Sequence, residues 1–273
     1  MNKLMWNLIR PFHSPITRVL RRKLGNGYFD HPEMELPFPY DAIQIDVERH
    51  LDTYLHVKPE EISQIVIVGT GEAEEIPRLR RSYPQVRFLC FEPNPQTYAN
   101  LTRKFQKIPY VTLSNLALSD KPGKTRFYEM DMPNNGSLLK PDVDSWSVFG
   151  KREQQKVQSF EVNLSTLDQE AAALGPIDLL WMDVQGGEGA VLKGADKTLQ
   201  RTKAIFLEVA MIHSPYQGTI LFPEICAMLK SYDFTCIGMG IDGFNGSGNV
   251  LFVRHFDKLV FNELGVSPPA SSV

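Results

Sequence analysis

The sequence lacks the features that mark several large classes of protein. Its 273 residues include three cysteines, Cys90, Cys226 and Cys236, an odd number without a C-x-x-C pair. A disulfide framework and a zinc knuckle are therefore not expected, and a reducing, cytoplasmic location is favoured. No apolar run approaches the roughly 20 residues that cross a bilayer. The start of the chain also lacks the continuous apolar stretch and the cleavage site of a signal peptide.

A strong excess of charge of one sign is also missing from the chain as a whole. The net charge is -3, from 29 basic and 32 acidic residues, so no nucleic-acid partner is expected. Residues 1–23 differ, because they carry six basic residues, no acidic ones and several interleaved apolar ones. This pattern is typical of a helix in weak contact with a membrane surface, and also of an arm that packs on the domain or on a subunit. Pro11 and Pro15 would interrupt such a helix, which favours the arm.

Four short apolar segments alternate with segments of helical periodicity. Continuous apolar runs of this length are typical of parallel strands that are buried on both faces. Their alternation with helices predicts an α/β fold with a doubly wound sheet. Right-handed crossovers place the carboxyl ends of such strands at one edge, where ligands bind. The predicted strands are Gln64–Val68, Val86–Phe91, Ile177–Met182 and Ala204–Val209.

The C-terminal part departs from this alternation. Phe234–Gly238 and Asn249–Arg254 are strand-like, and the glycine-rich segment between them is too short for a crossover helix. The two strands should therefore pair antiparallel. We expect a doubly wound, mostly parallel, seven-stranded sheet with a C-terminal antiparallel strand. This is the Rossmann-like fold of class I methyltransferases rather than that of dehydrogenases.

Composition divides the chain into three predicted parts. Residues 1–60 form a basic, helical extension, residues 61–256 the α/β domain, and residues 257–273 a tail. Within the domain, residues 130–160 are the least regular and are rich in proline, asparagine, glycine and serine at their start. Such a region beside a ligand cleft is a candidate substrate lid. An ordinary surface insertion is the alternative.

The first predicted strand runs into a glycine turn formed by Gly69 and Gly71. Such a turn presents backbone N–H groups to a nucleotide-like ligand. Three glutamates follow, and the third glycine of the dinucleotide-binding pattern is missing. Because carboxylates repel a pyrophosphate and attract a cationic adenosine derivative, the predicted cofactor is S-adenosylmethionine rather than a nicotinamide dinucleotide. Glu72 is predicted to bind its α-amino group, whereas Glu74 and Glu75 are expected to stabilise the first turn of the following helix.

Glu92 ends the second predicted strand, 21 positions after Gly71. Related folds place an acid there, because a carboxylate can accept hydrogen bonds from both hydroxyls of a ribose. The alternative is a glutamate that only ends a strand at the surface. The turn, the strand and the spacing occur together, which favours the ribose role.

Further acids follow the third and fourth strands. Asp183 could hold the ammonium group of the cofactor, orient an acceptor hydroxyl or take its proton. Glu208 and His213 are candidates for the acceptor side, and His213 could act as a general base, although a lone loop histidine is more often solvated. Glu188 is either functional or a partner of a helix dipole. Asp183 and Glu208 could bind a divalent cation, but no tight ligand cluster is visible and no metal is predicted.

Several blocks of the sequence match the motifs of one known family. The blocks are Phe91–Pro95, Asn115–Asp120, Ser165–Asp168, Asp183–Glu188 and Val191–Ala195. They resemble, in the same order, motifs of the FkbM family of S-adenosylmethionine-dependent methyltransferases. The resemblance runs from about Gln64 to Arg254. It implies a class I methyltransferase fold, S-adenosylmethionine as cofactor, methylation of a hydroxyl on a sugar or small molecule, and an adenine flanked by Asn115 and Ala117.

The glycine turn departs from the family pattern, which begins D-x-G-A-N-x-G. Ile67 stands in place of the aspartate, Gly71 in place of the asparagine and Ala73 in place of the last glycine. Gln185 replaces a glutamate further along the chain. Two functions therefore stay open at this point. One is an O-methyltransferase with a small-molecule or glycan acceptor, and the other is a catalytically silent domain of the same fold that binds a metabolite or a partner.

Overall fold

Strands and helices alternate along the chain. The computed structural model describes residues 45–130, 135–142, 157–242, 246–256 and 258–259. The strands are β1 (Gln64–Val68), β2 (Arg87–Phe91), β3 (Val111–Ser114), β4 (Ala117–Leu118), β5 (Gly123–Met130), β6 (Val157–Ser165), β7 (Ile177–Met182), β8 (Thr202–Ala210), β9 (Phe234–Asp242) and β10 (Ser247–Arg254). The helices are α1 (Val47–Leu55), α2 (Glu75–Ser82), α3 (Pro95–Phe105), α4 (Leu167–Glu170), α5 (Glu188–Lys193), α6 (Asp196–Leu199) and α7 (Phe222–Lys230).

The central sheet has seven strands in the order β3-β2-β1-β7-β8-β10-β9. The pairs β2–β3, β1–β2, β1–β7 and β7–β8 are parallel. Strand β10 is antiparallel to both of its neighbours, β8 and β9. The predicted fold is therefore confirmed, including the antiparallel pairing of the last two strands.

Both faces of the sheet are covered, which explains why its strands are apolar throughout. Successive residues of a strand point to opposite faces. In β1, Val66 and Val68 pack into the core on one face, and Ile65 and Ile67 pack into the core on the other. All four are at most 1% exposed.

Helix α1 packs against the domain although it lies inside the predicted extension 1–60. Leu51 is fully buried and belongs to the same core as Ile67. Its backbone N–H donates to the hydroxyl of Tyr83 at 2.7 Å, and this hydroxyl donates to Asp52 at 3.1 Å. The extension thus ends in a helix that is part of the core. Its basic segment, residues 1–23, lies outside the described residues, as does nearly all of the predicted tail.

A second, three-stranded sheet lies beside the first, in the order β4-β6-β5. Strand β6 pairs antiparallel with β5, with Val157 to Leu164 opposite Met130 to Gly123. The first residues of β6, 157–160, fall in the region that we expected to be irregular, so this expectation was wrong for them. Its periodicity was overlooked because Val157, Gln158 and Ser159 are exposed. Within the rest of that region, the structure describes 135–142.

The helix starts follow the local sequence. Asn94 caps α3, because its side chain accepts hydrogen bonds from the backbone N–H groups of Gln96 and Thr97. Pro95 then occupies the first helical position, where it loses no hydrogen bond. Helix α2 begins at Glu75, so that Pro77 falls in its first turn. Among the described residues, none of the helices combines the length and the apolar character that a membrane crossing requires.

Candidate active site

The carboxyl ends of β1, β2 and β7 open into one cavity of about 310 Å³. The parallel register aligns Val68 with Phe91 and with Met182, so the three strands end at the same level. This volume lies in the range of small-molecule sites. The predicted site residues that line the cavity are Gly69, Gly71, Glu72, Glu92, Ala117 and Asp183.

The glycine turn is anchored on the neighbouring strand. The backbone N–H groups of Gly69 and Thr70 both donate to the carbonyl oxygen of Phe91, at 3.0 and 3.1 Å. Gly69, Gly71 and Ala73 have φ angles of 81°, 51° and 55°. An alanine tolerates this left-handed conformation at about 1–2 kcal/mol. The turn therefore forms even though Ala73 stands where the family pattern has glycine.

Glu92 is buried at the end of β2 and is 6% exposed. Its carboxylate accepts hydrogen bonds from the backbone N–H groups of Gly71 and Asn94, both at 2.9 Å. Burial raises its pKa to about 7, and the charge of Glu129 adds to this shift. Each carboxylate oxygen still has a lone pair for a further donor. A ribose diol is a donor pair of this kind, so the predicted role of Glu92 is compatible with its position.

Asn115 holds the backbone segment that carries this acid. Its side-chain amide donates to the carbonyl oxygens of Glu92 and Pro93, at 2.8 and 3.1 Å. Asn115 is not among the residues that line the described cavity, whereas Leu116, Ala117 and Leu118 are. In the structure its side chain contacts the loop that carries Glu92, and its contact with the adenine stays a prediction.

Asp183 follows β7, and its backbone N–H donates to Val68 at 3.0 Å. Asp183 is exposed and lines the cavity. Desolvation by nearby protein atoms raises the pKa of its carboxyl, against a lowering effect of the hydrogen bond from Gln185. The side-chain nitrogen of Gln185 donates to Asp183 at 2.7 Å and to Glu208 at 3.1 Å. One amide thus bridges two of the predicted catalytic carboxylates.

Gln185 itself is held in an unusual backbone conformation, with a φ of 53°. Ser137 donates to its carbonyl oxygen at 2.8 Å, and the hydroxyl of Tyr216 lies 3.2 Å from its side-chain oxygen. Tyr216 is buried, and burial raises its pKa well above the usual range. No periodic pattern in the sequence points to this tyrosine or to Ser137, because both lie in irregular segments.

Glu188 lies beneath this cluster and does not line the cavity. It is 4% exposed and accepts a hydrogen bond from the backbone N–H of Val184 at 3.1 Å. Burial, and to a lesser degree the charges of Asp183 and Glu208, raise its pKa to about 8. At neutral pH the Glu188 side chain is therefore mainly protonated.

His213 is exposed and is not among the residues that line the described cavity. Glu129 and Phe127, by contrast, line the cavity and were overlooked. Both lie on β5, and Glu129 accepts a hydrogen bond from Asn94 at 2.8 Å. Nothing in the sequence places this strand beside the glycine turn.

The charge of the cavity identifies the kind of ligand that it fits. Six carboxylates and a single basic side chain, Arg78, occur among the residues that line it, and the acids are Glu72, Glu74, Glu75, Glu92, Glu129 and Asp183. A negative cleft attracts cationic ligands and repels a pyrophosphate. S-adenosylmethionine carries a sulfonium and an ammonium group, and an adenosine that suits the apolar wall. Within the described residues, acids, histidines and cysteines form no cluster suited to a metal ion.

Comparison with known proteins agrees with this geometry. The methyltransferase FkbM domain matches residues 71–236. The 2-O-methyltransferase NoeI of Sinorhizobium fredii is 28% identical over 213 residues, which cover 73% of this chain and 83% of that protein. Methyltransferase 1 of Beauveria bassiana is 31% identical over 43% of this chain and 52% of its own length.

This chain is also similar to a solved structure, that of a SAM-dependent methyltransferase from Aquifex aeolicus. The two are 12% identical, the comparison covers 76% of this chain and 88% of that chain, and the TM-score is 0.42. The family match spans more than half of the 273 residues and includes the cavity from Gly71 onward. The chain therefore belongs to the FkbM family of methyltransferases, and its cofactor is S-adenosylmethionine.

Proposed function

We propose that this protein transfers a methyl group from S-adenosylmethionine to a hydroxyl of a sugar or of another small molecule. The observation that carries the proposal is the position of Asp183, whose carboxylate faces the cavity beside the glycine turn. When bound, the cofactor supplies an electrophilic methyl group. The protein then has to align the acceptor oxygen and to remove its proton. Nothing favours the alternative of a catalytically silent domain.

The predicted cofactor residues each suit a different part of S-adenosylmethionine. Gly69 and Gly71 let the backbone approach the cofactor closely, and Glu92 accepts hydrogen bonds from the ribose hydroxyls. Ala117, between Leu116 and Leu118, forms an apolar wall for the adenine. Asn115 serves the site indirectly, because it fixes the loop that carries Glu92. Glu72 is exposed, so any contact of this carboxylate with the amino group is screened by water.

The acceptor side is the cluster around Gln185. Asp183 is the first candidate for its general base, because a carboxylate whose pKa is raised by desolvation is a stronger base than an ordinary one. Glu208 shares the amide of Gln185 with it and is the second candidate. His213, being exposed and apart from the cavity, is the third. A polyhydroxylated acceptor suits this cluster, since its carboxylates accept hydrogen bonds from hydroxyls.

The relative NoeI supports a hydroxyl acceptor. Its name states a 2-O-methyltransferase activity, and this chain spans 83% of its length. The family match over residues 71–236 covers the cluster around Asp183 and the cofactor cavity from Gly71 onward. A small molecule or a glycan is thus the proposed acceptor, and the assay below tests several acceptors to identify it.

The reducing cytoplasm is the proposed location. The three cysteines are free and at least partly buried, and burial raises the pKa of their thiols. Thiols of this kind stay in the reduced form in that compartment. A weak contact of residues 1–23 with a membrane surface is compatible with this location and can be tested with anionic vesicles.

The assay combines the protein with methyl-labelled S-adenosylmethionine and a panel of neutral, amino and acidic oligosaccharides. We expect a labelled product whose methyl group is attached to oxygen, as determined by NMR. Asp183→Asn should reduce kcat by about 10²–10⁴-fold, as loss of a general base does. Glu208→Gln and His213→Ala should cost less. Tight cofactor binding without methylation of any acceptor would favour the silent domain instead.

A further inference from the structure

Gln185 lies at the centre of the acceptor side, and no step of the proposed reaction uses it. Its side-chain nitrogen donates to Oδ1 of Asp183 at 2.7 Å and to Oε2 of Glu208 at 3.1 Å. Two oxygen atoms that accept from one nitrogen lie within a few ångströms of each other. Gln185 and Asp183 line the cavity, whereas Glu208 is not among the residues that line it. The amide therefore connects a carboxylate at the cavity with a second one beside it.

The partners of the amide determine which of its ends faces the acids. The hydroxyl of Tyr216 lies 3.2 Å from the side-chain oxygen of Gln185 and donates to it, because an amide oxygen only accepts. An ionised carboxylate also only accepts, so the nitrogen has to face Asp183 and Glu208. An amide nitrogen carries two hydrogens, one for each acid. A reversed amide would turn its oxygen towards two carboxylates and lose all three contacts.

The backbone of Gln185 is held as firmly as its side chain. Its φ of 53° is unfavourable for a residue other than glycine. Ser137, which is fully buried, donates to its carbonyl oxygen at 2.8 Å. The backbones of 135–142 and 215–217, which carry Ser137 and Tyr216, are joined by hydrogen bonds of 2.7 and 2.9 Å. An unfavourable conformation that the surrounding structure holds in place is typical of a functional position.

We infer that Gln185 is a positioning residue, whose amide holds Asp183 beside Glu208 so that the Asp183 carboxylate faces the acceptor hydroxyl. The inference rests on the proposed function, in which Asp183 removes the proton of the acceptor. In that step the acceptor oxygen gains the methyl group, its proton passes to Asp183, and the sulfonium becomes a neutral thioether. Two neighbouring carboxylates repel each other, and the two N–H groups of the amide offset this repulsion.

The titratable groups that face the bridged pair are acidic. Glu188 of α5 has its pKa raised by the charges of Asp183 and Glu208, after the larger effect of burial. The charges of these three acids also raise the pKa of Tyr216. Gln185→Glu would thus add a negative charge to a negative cluster while keeping the length and the backbone conformation of the side chain. This charge is what the following experiments measure.

Thermal unfolding of the ligand-free protein tests the bridge itself. At pH 5 the carboxyl added by Gln185→Glu can hold a proton and donate one hydrogen bond, so the Tm should stay close to that of the unmodified protein. At pH 8 the added carboxyl is ionised, and the Tm should be about 2–5 °C lower. The double variant Gln185→Glu/Glu208→Gln exchanges the amide and the acid, and should recover most of this loss.

Gln85→Glu is the matched control for the added charge. Gln85 is exposed and precedes β2, so it lies at the edge of the sheet opposite the cavity. This variant should melt like the unmodified protein at both pH values.

Methylation kinetics test the positioning role, with the oligosaccharide that the assay above identifies. For the unmodified protein kcat should rise with pH as Asp183 loses its proton. Because an added negative charge disfavours the ionised form of Asp183, Gln185→Glu should move this rise upward by about one pH unit. Below the rise, kcat should then be about tenfold lower, with a smaller change in KM for the acceptor. The double variant should move the rise back.

Several outcomes would overturn the inference. An unmoved pH profile with a raised KM would mean that Gln185 binds the acceptor directly. Equal losses of Tm at pH 5 and pH 8 would mean that the shape of Gln185 matters and its amide does not, and no loss at either pH would mean that it does not hold the acids. If the unmodified protein methylated no acceptor, the proposed function would fail and the positioning role with it, whereas the unfolding data would still show whether the amide bridges the acids.

Discussion

Gly69 is the position where a single methyl group should disturb the site most. Its φ of 81° is in the region that favours glycine. A Cβ at this position would overlap the carbonyl oxygen of Asp183 and lie 2.8 Å from its carbonyl carbon. Because backbone and not a flexible side chain is in the way, Gly69→Ala has to push the end of β1 away from the end of β7.

The size of this effect has two parts. An L-residue in a left-handed conformation costs about 1–2 kcal/mol, and the relaxation of an overpacked contact costs about 1–3 kcal/mol. Gly69→Ala should therefore destabilise the fold by about 2–5 kcal/mol. For a chain of this size that is a fall in Tm of about 5–15 °C.

Gly218 provides a matched control. Its φ of 84° is nearly the same, but a Cβ there would meet no atom within 4 Å. Gly218→Ala should therefore cost only the conformational part, about 1–2 kcal/mol, and should leave cofactor binding unchanged. Urea unfolding and calorimetry of both variants measure the difference. Equal losses of stability in the two variants would refute the argument from close approach to Asp183.

Two further predictions concern the acids and the amide beside Asp183. Glu188 keeps its proton up to about pH 8 in the folded protein, against 4.5 for an ordinary glutamate, so its contribution to stability falls as pH rises from 4.5 to 8. Glu188→Gln should remove this fall, so that between pH 4.5 and 7 the variant gains about 3 kcal/mol of unfolding free energy relative to the unmodified protein. Urea unfolding at several pH values measures the difference, and parallel pH profiles of the two proteins would contradict the prediction. Tyr216→Phe removes a hydrogen bond to Gln185 and should lower kcat by about fivefold, as loss of about 1 kcal/mol does, with unchanged affinity for S-adenosylmethionine in calorimetry.

The central sheet could be predicted because its information is local. A strand of five or six apolar residues, a glycine turn and a capped helix such as Asn94-Pro95 are recognisable within a short window. The position of Glu92 and Asp183 then followed from one rule, that parallel strands end at the same edge. The structure agrees, since both acids line the same cavity.

The remainder depends on contacts between distant segments. Strand β6 forms by pairing with β5, which ends far earlier in the chain, although about half of the β6 side chains are exposed. Asn115 and His213 have the residue types of a functional site. In the structure, however, the Asn115 side chain contacts the loop that carries Glu92, and His213 is exposed at the surface. No sequence pattern contains these side-chain directions, because tertiary packing sets them.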